Sequence, residues 1–141
     1  MRYVVADASV VVKWFVQEDE PDAAAALALF GAVREGAVHL VQPVHWIAEV
    51  AAVVARLRPR TAEADAHALC ALSVTTAQQS FVYERATRLA VDLDHHLFDT
   101  LYHAVTLETP GAVLVTADDR YARKAAHLGS LVPLADDAEA E

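Results

Sequence analysis

Cysteine is nearly absent from this chain: Cys70 stands alone. A single thiol builds neither a disulfide framework nor a multi-cysteine zinc site, and it fits a reducing cytoplasm. Glycine is almost as scarce. Gly31, Gly36, Gly111 and Gly129 are isolated from one another, so there is no glycine-rich loop to wrap a nucleotide's phosphates and a P-loop is excluded. Long uncharged apolar runs are missing too. Asp7 and Lys13 interrupt the apolar start of the chain, and no small-residue cleavage site follows it. The expectation is therefore no signal peptide and no membrane span. Basic residues are outnumbered, with 11 Lys and Arg against 20 Asp and Glu and a net charge of −9. On its face that balance argues against a nucleic-acid partner.

The acidic excess is unevenly placed. Four of the acids, Asp136, Asp137, Glu139 and Glu141, fall in a terminal stretch expected to fray, and −9 without those four is −5. Two bound divalent cations would bring the figure to −1. The cations are grouped, with Arg56, Arg58 and Arg60 in one place and Arg120, Arg123 and Lys124 in another. Each group reads either as a solvated helix face or as phosphate contacts.

At 141 residues and 55% hydrophobic, the chain suffices for one domain with a buried core and is too apolar to be disordered. Residues 2–6 and 112–116 read as buried parallel strands, with shorter strands over 38–41, 73–76 and 131–134. Helices are expected over 9–16, 21–34, 43–58, 61–72, 79–92, 96–108 and 118–128. Ser9, Thr61 and Asp94 are their candidate caps, and Gly36 and Pro59 are two of their stops. Strands alternate with helices, so the fold class is α/β: one domain with a central, mostly parallel sheet flanked by helices. The expected division is a domain over 1–134 and an acidic tail over 135–141.

In such sheets function collects at the carboxyl ends of strands. Asp7 ends the run Tyr3-Val4-Val5-Ala6, and Asp118 follows Ala112-Val113-Leu114-Val115. Glu49 and Asp99 interrupt apolar helical stretches. Each acid has a bland reading: Asp7 as a helix cap, Glu49 as a partner of Arg56, and Asp99 as a first-turn acid favoured by the helix dipole. In Thr116-Ala117-Asp118-Asp119, either acid can cap the next helix; Asp118 is favoured as the functional one and Asp119 as cap or solvent-facing. Acids among buried neighbours are costly unless paired or bound to a cation. Several of them at strand ends and helix faces point to a divalent-metal site and phosphate chemistry. His103, four residues after Asp99, is expected on the same helix face. Asp92, Asp94, His95, His96, Asp99 and His103 also read as a transition-metal cluster, although adjacent helical histidines diverge by about 100°. An aspartyl-nucleophile phosphatase would want a second acid where Ser9 stands.

Four segments in order resemble a known family: Val4-Val5-Ala6-Asp7-Ala8-Ser9-Val10, Ala48-Glu49-Val50, Phe98-Asp99-Thr100-Leu101-Tyr102-His103-Ala104, and Leu114-Val115-Thr116-Ala117-Asp118. Together they resemble the PIN domain, and most of all the VapC-type ribonuclease toxins of toxin–antitoxin pairs, over roughly residues 2–134. The resemblance implies a Mg²⁺- or Mn²⁺-dependent endoribonuclease of the cytoplasm. Asp7, Glu49, Asp99 and Asp118 would be its catalytic and metal-binding acids, with Thr116 in support and Ser9 nearby. It also implies an RNA substrate and a cognate antitoxin that lays a cationic side chain across the acids. His45-Trp46 and Asp94-His95-His96 depart from the commonest pattern of the family. The alternative is a non-catalytic PIN-like module that binds protein or RNA. A homodimer is expected because one domain of this size has difficulty burying Trp14, Phe15, Phe30 and Trp46 together.

Overall fold

The structure is a computed structural model and describes residues 1–137. Five strands form one all-parallel sheet in the order β3-β2-β1-β4-β5. They are β1 (Arg2–Ala6), β2 (Val38–Pro43), β3 (Val74–Ala77), β4 (Val113–Thr116) and β5 (Leu131–Pro133). Seven α-helices flank the sheet: α1 (Ala8–Val11), α2 (Ala23–Arg34), α3 (Trp46–Leu57), α4 (Ala62–Cys70), α5 (Ser80–Leu93), α6 (Leu97–Leu107) and α7 (Asp119–Ala125). Every strand expected from the sequence is present; β1 has the expected bounds, and the other four differ by one or two residues at one or both ends.

β1 is the central strand, and Val4, Val5 and Ala6 are completely buried. Such a strand has helices on both faces, hence its continuous apolar run. The chain leaves β1 for β2 on one side and later returns to β4 on the other. The strand order therefore reverses beside β1, and the crevice at the carboxyl ends of β1 and β4 is a topological switch point. The register sets what meets there: Ala6 pairs with Val115, and the Asp7 amide donates to the Val115 carbonyl at 3.0 Å. Asp7 thus lies beside Thr116.

A buried glutamine completes the other side of β1. Strand pairing of β1 with β2 is recorded from Arg2↔Val38 to Val4↔Leu40. At Ala6, the fully buried Gln42 side chain takes over. Its Oε1 accepts from the Ala6 amide at 2.7 Å, and its Nε2 donates to the Ala6 carbonyl at 2.9 Å. The side-chain amide stands in for a peptide group, so β1 stays satisfied up to the residue before Asp7.

Helix α6 packs against β1, β2 and β4, and every residue from Thr100 to Thr106 is buried. Because α6 feeds β4 through a short loop, its first turn lies at the carboxyl end of the sheet. Three expected caps are revised. Asp7, not Ser9, caps α1 by accepting from the Ser9 amide. Asp118, not Asp119, caps α7. Asp94 does not start α6; it ends α5 in a left-handed conformation with φ 50°.

Both tryptophans are buried, and Trp14 stacks on Phe30 with ring centroids 4.7 Å apart. Phe15 and Phe30 are half-buried against the core. One domain therefore accommodates all four rings, and they give no reason for a dimer. The expectation of a frayed end fails at Asp137, which is buried and ion-paired with Arg2 of β1. Leu134–Asp136 form a 3₁₀ turn leading to it. Glu139 and Glu141 lie outside the described residues.

Candidate active site

Asp7 is built in from three directions. Its Oδ2 accepts from the Ser9 amide at 3.1 Å, from the Ser9 hydroxyl, and from the Thr116 hydroxyl at 3.4 Å. The Ser9 Oγ in turn accepts from the Ala117 amide at 3.0 Å, which ties α1 to the end of β4. Thr116 Oγ1 accepts from the Asp118 amide at 3.0 Å, and Asp118 Oδ1 accepts from the Tyr121 amide at 3.0 Å. The β4–α7 turn therefore sets the Thr116 hydroxyl and the Asp118 carboxylate together, as the sequence motif implies. Capping occupies Oδ1 of Asp118. Among the described residues Oδ2 accepts no hydrogen bond.

Glu49 and Asp99 come from the first turns of α3 and α6. The expected Glu49–Arg56 pair is not formed. Glu49 Oε1 instead accepts from the Tyr102 hydroxyl at 3.1 Å, and its Oε2 lies 3.6 Å from His45 Nε2. Asp99 Oδ2 is 2.8 Å from His95 Nε2. Lys124 Nζ, a donor only, is 3.3 Å from His95 Nδ1 and donates to the Asp94 carbonyl at 2.9 Å. With Nδ1 facing a donor, the His95 proton sits on Nε2 and is given to Asp99. His95 thus orients Asp99. Its four-residue spacing ahead of that acid was the available signal in the sequence.

His103 is not part of the cluster. Its ring is buried; Nε2 donates to the Gly129 carbonyl at 2.9 Å, and Nδ1 accepts from the Tyr121 hydroxyl at 3.0 Å. Burial pushes it below the usual histidine range, against the smaller opposing pull of the Gly129 carbonyl. It is a neutral packing residue holding Tyr121 behind the site.

The acids share one electrostatic field. Burial pushes the Asp7 carboxyl up to about 6, opposed by the Ser9 hydrogen bonds and reinforced by Asp99 and Asp118. Burial likewise pushes Glu49 up to about 7, with Asp7 next in weight and Asp99 adding to it, while the Tyr102 hydroxyl pulls the other way. Tyr102 and Tyr121 are both pushed above the ordinary phenol range, chiefly by burial and then by these acids. Repulsion among like charges in a partly dry crevice asks for a cation. Ligand atoms of His95, Asp99 and Asp118 lie within 4.8 Å of one another. The donors are hard carboxylate oxygens with one imidazole at the side, a set that suits Mg²⁺ or Mn²⁺. A separate zinc cluster is not favoured: His103 is committed elsewhere and His95 is bonded to Asp99.

Two features border the acids. A groove of about 430 Å³ runs past Ser9, Val12, Lys13, Glu49 and Val53 and is mostly apolar. A smaller hollow of about 230 Å³ is lined by Asp94, His95, His96 and Arg120. Arg120 is exposed and makes no ion pair among the described residues. No helix of the described residues is long and apolar enough to cross a membrane.

No curated protein is significantly similar to the chain. The PIN domain family matches residues 4–127, a span that begins in β1 and takes in Asp7, Glu49, Asp99 and Asp118. PIN domains are commonly metal-dependent nucleases, and an all-parallel five-stranded sheet with acids gathered at its switch point is consistent with that fold. By its sequence match over most of its length and by its architecture, the chain belongs to the PIN domain family.

Proposed function

We propose that this protein is a metal-dependent endoribonuclease and the toxin of a type II toxin–antitoxin pair of the VapC type. One observation carries the nuclease reading: acids from separate elements converge, so that Asp99 and Asp118 raise the proton affinity of Asp7, and Asp7 and Asp99 raise that of Glu49. A binding-only module has little use for such a cost, which a divalent cation relieves.

Asp7, Glu49, Asp99 and Asp118 would hold Mg²⁺ or Mn²⁺. The bound ion supplies activation of water and neutralisation of charge on the phosphate and leaving oxygen. The chain's own part is positioning. Ser9 and Thr116 fix the Oδ2 edge of Asp7, His95 fixes Asp99, and Tyr102 fixes Glu49. No side chain serves as nucleophile; hydrolysis adds water across one P–O bond. Arg120 and Lys124 offer cations beside the acids for the RNA backbone, which answers the objection from net charge.

The partner assignment rests on the resemblance to VapC toxins and on the apolar groove that passes Glu49. An antitoxin segment would place an Arg or Lys among the acids in competition with metal and lay apolar side chains along Val12 and Val53. Trp14 and Trp46 are buried and offer that segment no surface. Homodimerisation and a cytoplasmic location complete the proposal and rest on the resemblance alone; the domain over 1–134 extends to Asp137, which packs on Arg2 of β1. A neighbouring gene for a small DNA-binding protein would support the pairing. The test of the enzyme is cleavage of single-stranded RNA with Mn²⁺, stopped by EDTA and reduced by several orders of magnitude in Asp7→Asn. Undiminished cleavage by Asp7→Asn, with contaminating ribonuclease excluded, sinks it.

A further inference from the structure

Phe98 immediately precedes Asp99 in the first turn of α6, and it is 61% exposed. An exposed phenylalanine needs no explanation by itself. This one is held. The His45 ring stacks under it, with centroids 5.3 Å apart and planes 27° from parallel. His45 Nε2 lies 2.9 Å from the Phe98 carbonyl, an acceptor only, so the histidine donates there and is pinned to the backbone of the residue it stacks on. His45 also leans on Tyr102, with ring centroids 4.9 Å apart, and Tyr102 donates to Glu49. An unbroken chain of contacts therefore runs from a metal-site acid to an outward-facing aromatic ring. His45 covers one face of that ring, and the residue's high exposure leaves the other side to solvent.

We infer that Phe98, backed by His45, is a stacking platform for an unpaired nucleobase next to the scissile phosphate. The inference rests on the nuclease reading and deepens it by naming the substrate's form. Protein modules that take single strands stack bases on aromatic side chains, because every base has a π-face and only an unpaired base can offer it. A ring fixed before binding loses little conformational freedom when a base lands on it. Its place beside Asp99 puts the base next to the acids that would take the phosphate. The enzyme therefore selects single-stranded or looped RNA over duplex, and Phe98 contributes binding and positioning rather than chemistry.

The test uses single-stranded RNA oligonucleotides carrying 2-aminopurine at successive positions, with Ca²⁺ replacing Mn²⁺ and binding followed by fluorescence. Wild type should quench 2-aminopurine at one position. Phe98→Leu, which keeps apolar bulk and loses the aromatic face, should lose that quench and bind about 5- to 150-fold more weakly. Phe98→Trp should retain both. Thermal melting should leave both variants as stable as wild type, because the side chain is largely in water. In Mn²⁺, Phe98→Leu should raise KM more than it lowers kcat. If Phe98→Leu binds and quenches like wild type, the platform is refuted while the nuclease stands; a simultaneous loss of affinity for an inhibitory partner protein would make this a protein-docking residue instead. If wild type binds no RNA, the nuclease reading fails and takes the platform with it.

Discussion

Replacing Asp7 by asparagine should make the metal-free protein more stable at neutral pH while removing its activity. Burial and the neighbouring acids raise the Asp7 carboxyl from 3.8 to about 6. Its folded-state value lies above its unfolded one, so its contribution to stability is fully present below about pH 4 and is lost as pH rises through 6. A shift of about two units at 1.36 kcal/mol each corresponds to about 3 kcal/mol at pH 8, and partial solvent access brings the expected gain to about 1–3 kcal/mol. The introduced amide keeps an oxygen for the Ser9 amide and hydroxyl, so the α1 cap survives. The assay is urea denaturation of EDTA-treated wild type and Asp7→Asn at pH 8 and pH 4. A urea slope of about 1–3 kcal/mol/M turns the gain into a midpoint shift of about 1 M at pH 8, which should vanish at pH 4. A variant less stable than wild type at pH 8 would overturn this, because Asp7 would then be a net stabilising carboxylate in need of no cation.

Three further outcomes follow from the same geometry. Gln42→Leu strands the Ala6 amide and carbonyl beside the crevice, and thermal or urea unfolding should show a loss of about 2–5 kcal/mol. His95→Ala removes the hydrogen bond that orients Asp99, and should weaken Mn²⁺ binding measured by calorimetry by about 10- to 100-fold. With Glu49 pushed to about 7 and Asp7 to about 6, protons compete for the ligands, and Mn²⁺ affinity measured by calorimetry should fall by about tenfold or more from pH 8 to pH 6.

The sheet was legible because its central strands bury both faces and so read as apolar runs. Asp7 and Asp118 were legible because strand ends are where parallel sheets place chemistry. The capping roles were harder to read. Asp7-Ala8-Ser9 offers two oxygens two residues apart, and only the cross-link from Ser9 to the Ala117 amide decides that Ser9 braces Asp7 instead of capping the helix. Local spacing equally offered Asp99 two histidines, His95 and His103. Packing chose between them, since the His103 nitrogens are consumed by Gly129 and Tyr121. Gln42 sits in Val38-His39-Leu40-Val41-Gln42-Pro43 as one of two polar residues in a mainly apolar strand, a visible oddity whose partner lies 36 residues away. The tryptophans misled because burial depends on how helices fold over them, which composition does not reveal. Asp137 misled because its partner, Arg2, lies at the far end of the sequence.

Whether the gathered acids hold a divalent cation is decided by titrating Mn²⁺ into EDTA-stripped wild type and Asp99→Asn while following the electron paramagnetic resonance signal of free Mn²⁺. Asp99 shares the ligand cluster with His95 and Asp118, and its charge contributes to the raised proton affinity of both Asp7 and Glu49. Wild type should remove free Mn²⁺ saturably, at one or two ions per chain. Asp99→Asn, folded and equally stable, should leave the signal of free ion almost unchanged. Equal uptake by the two proteins, or none by wild type, would show that these acids are not a metal site.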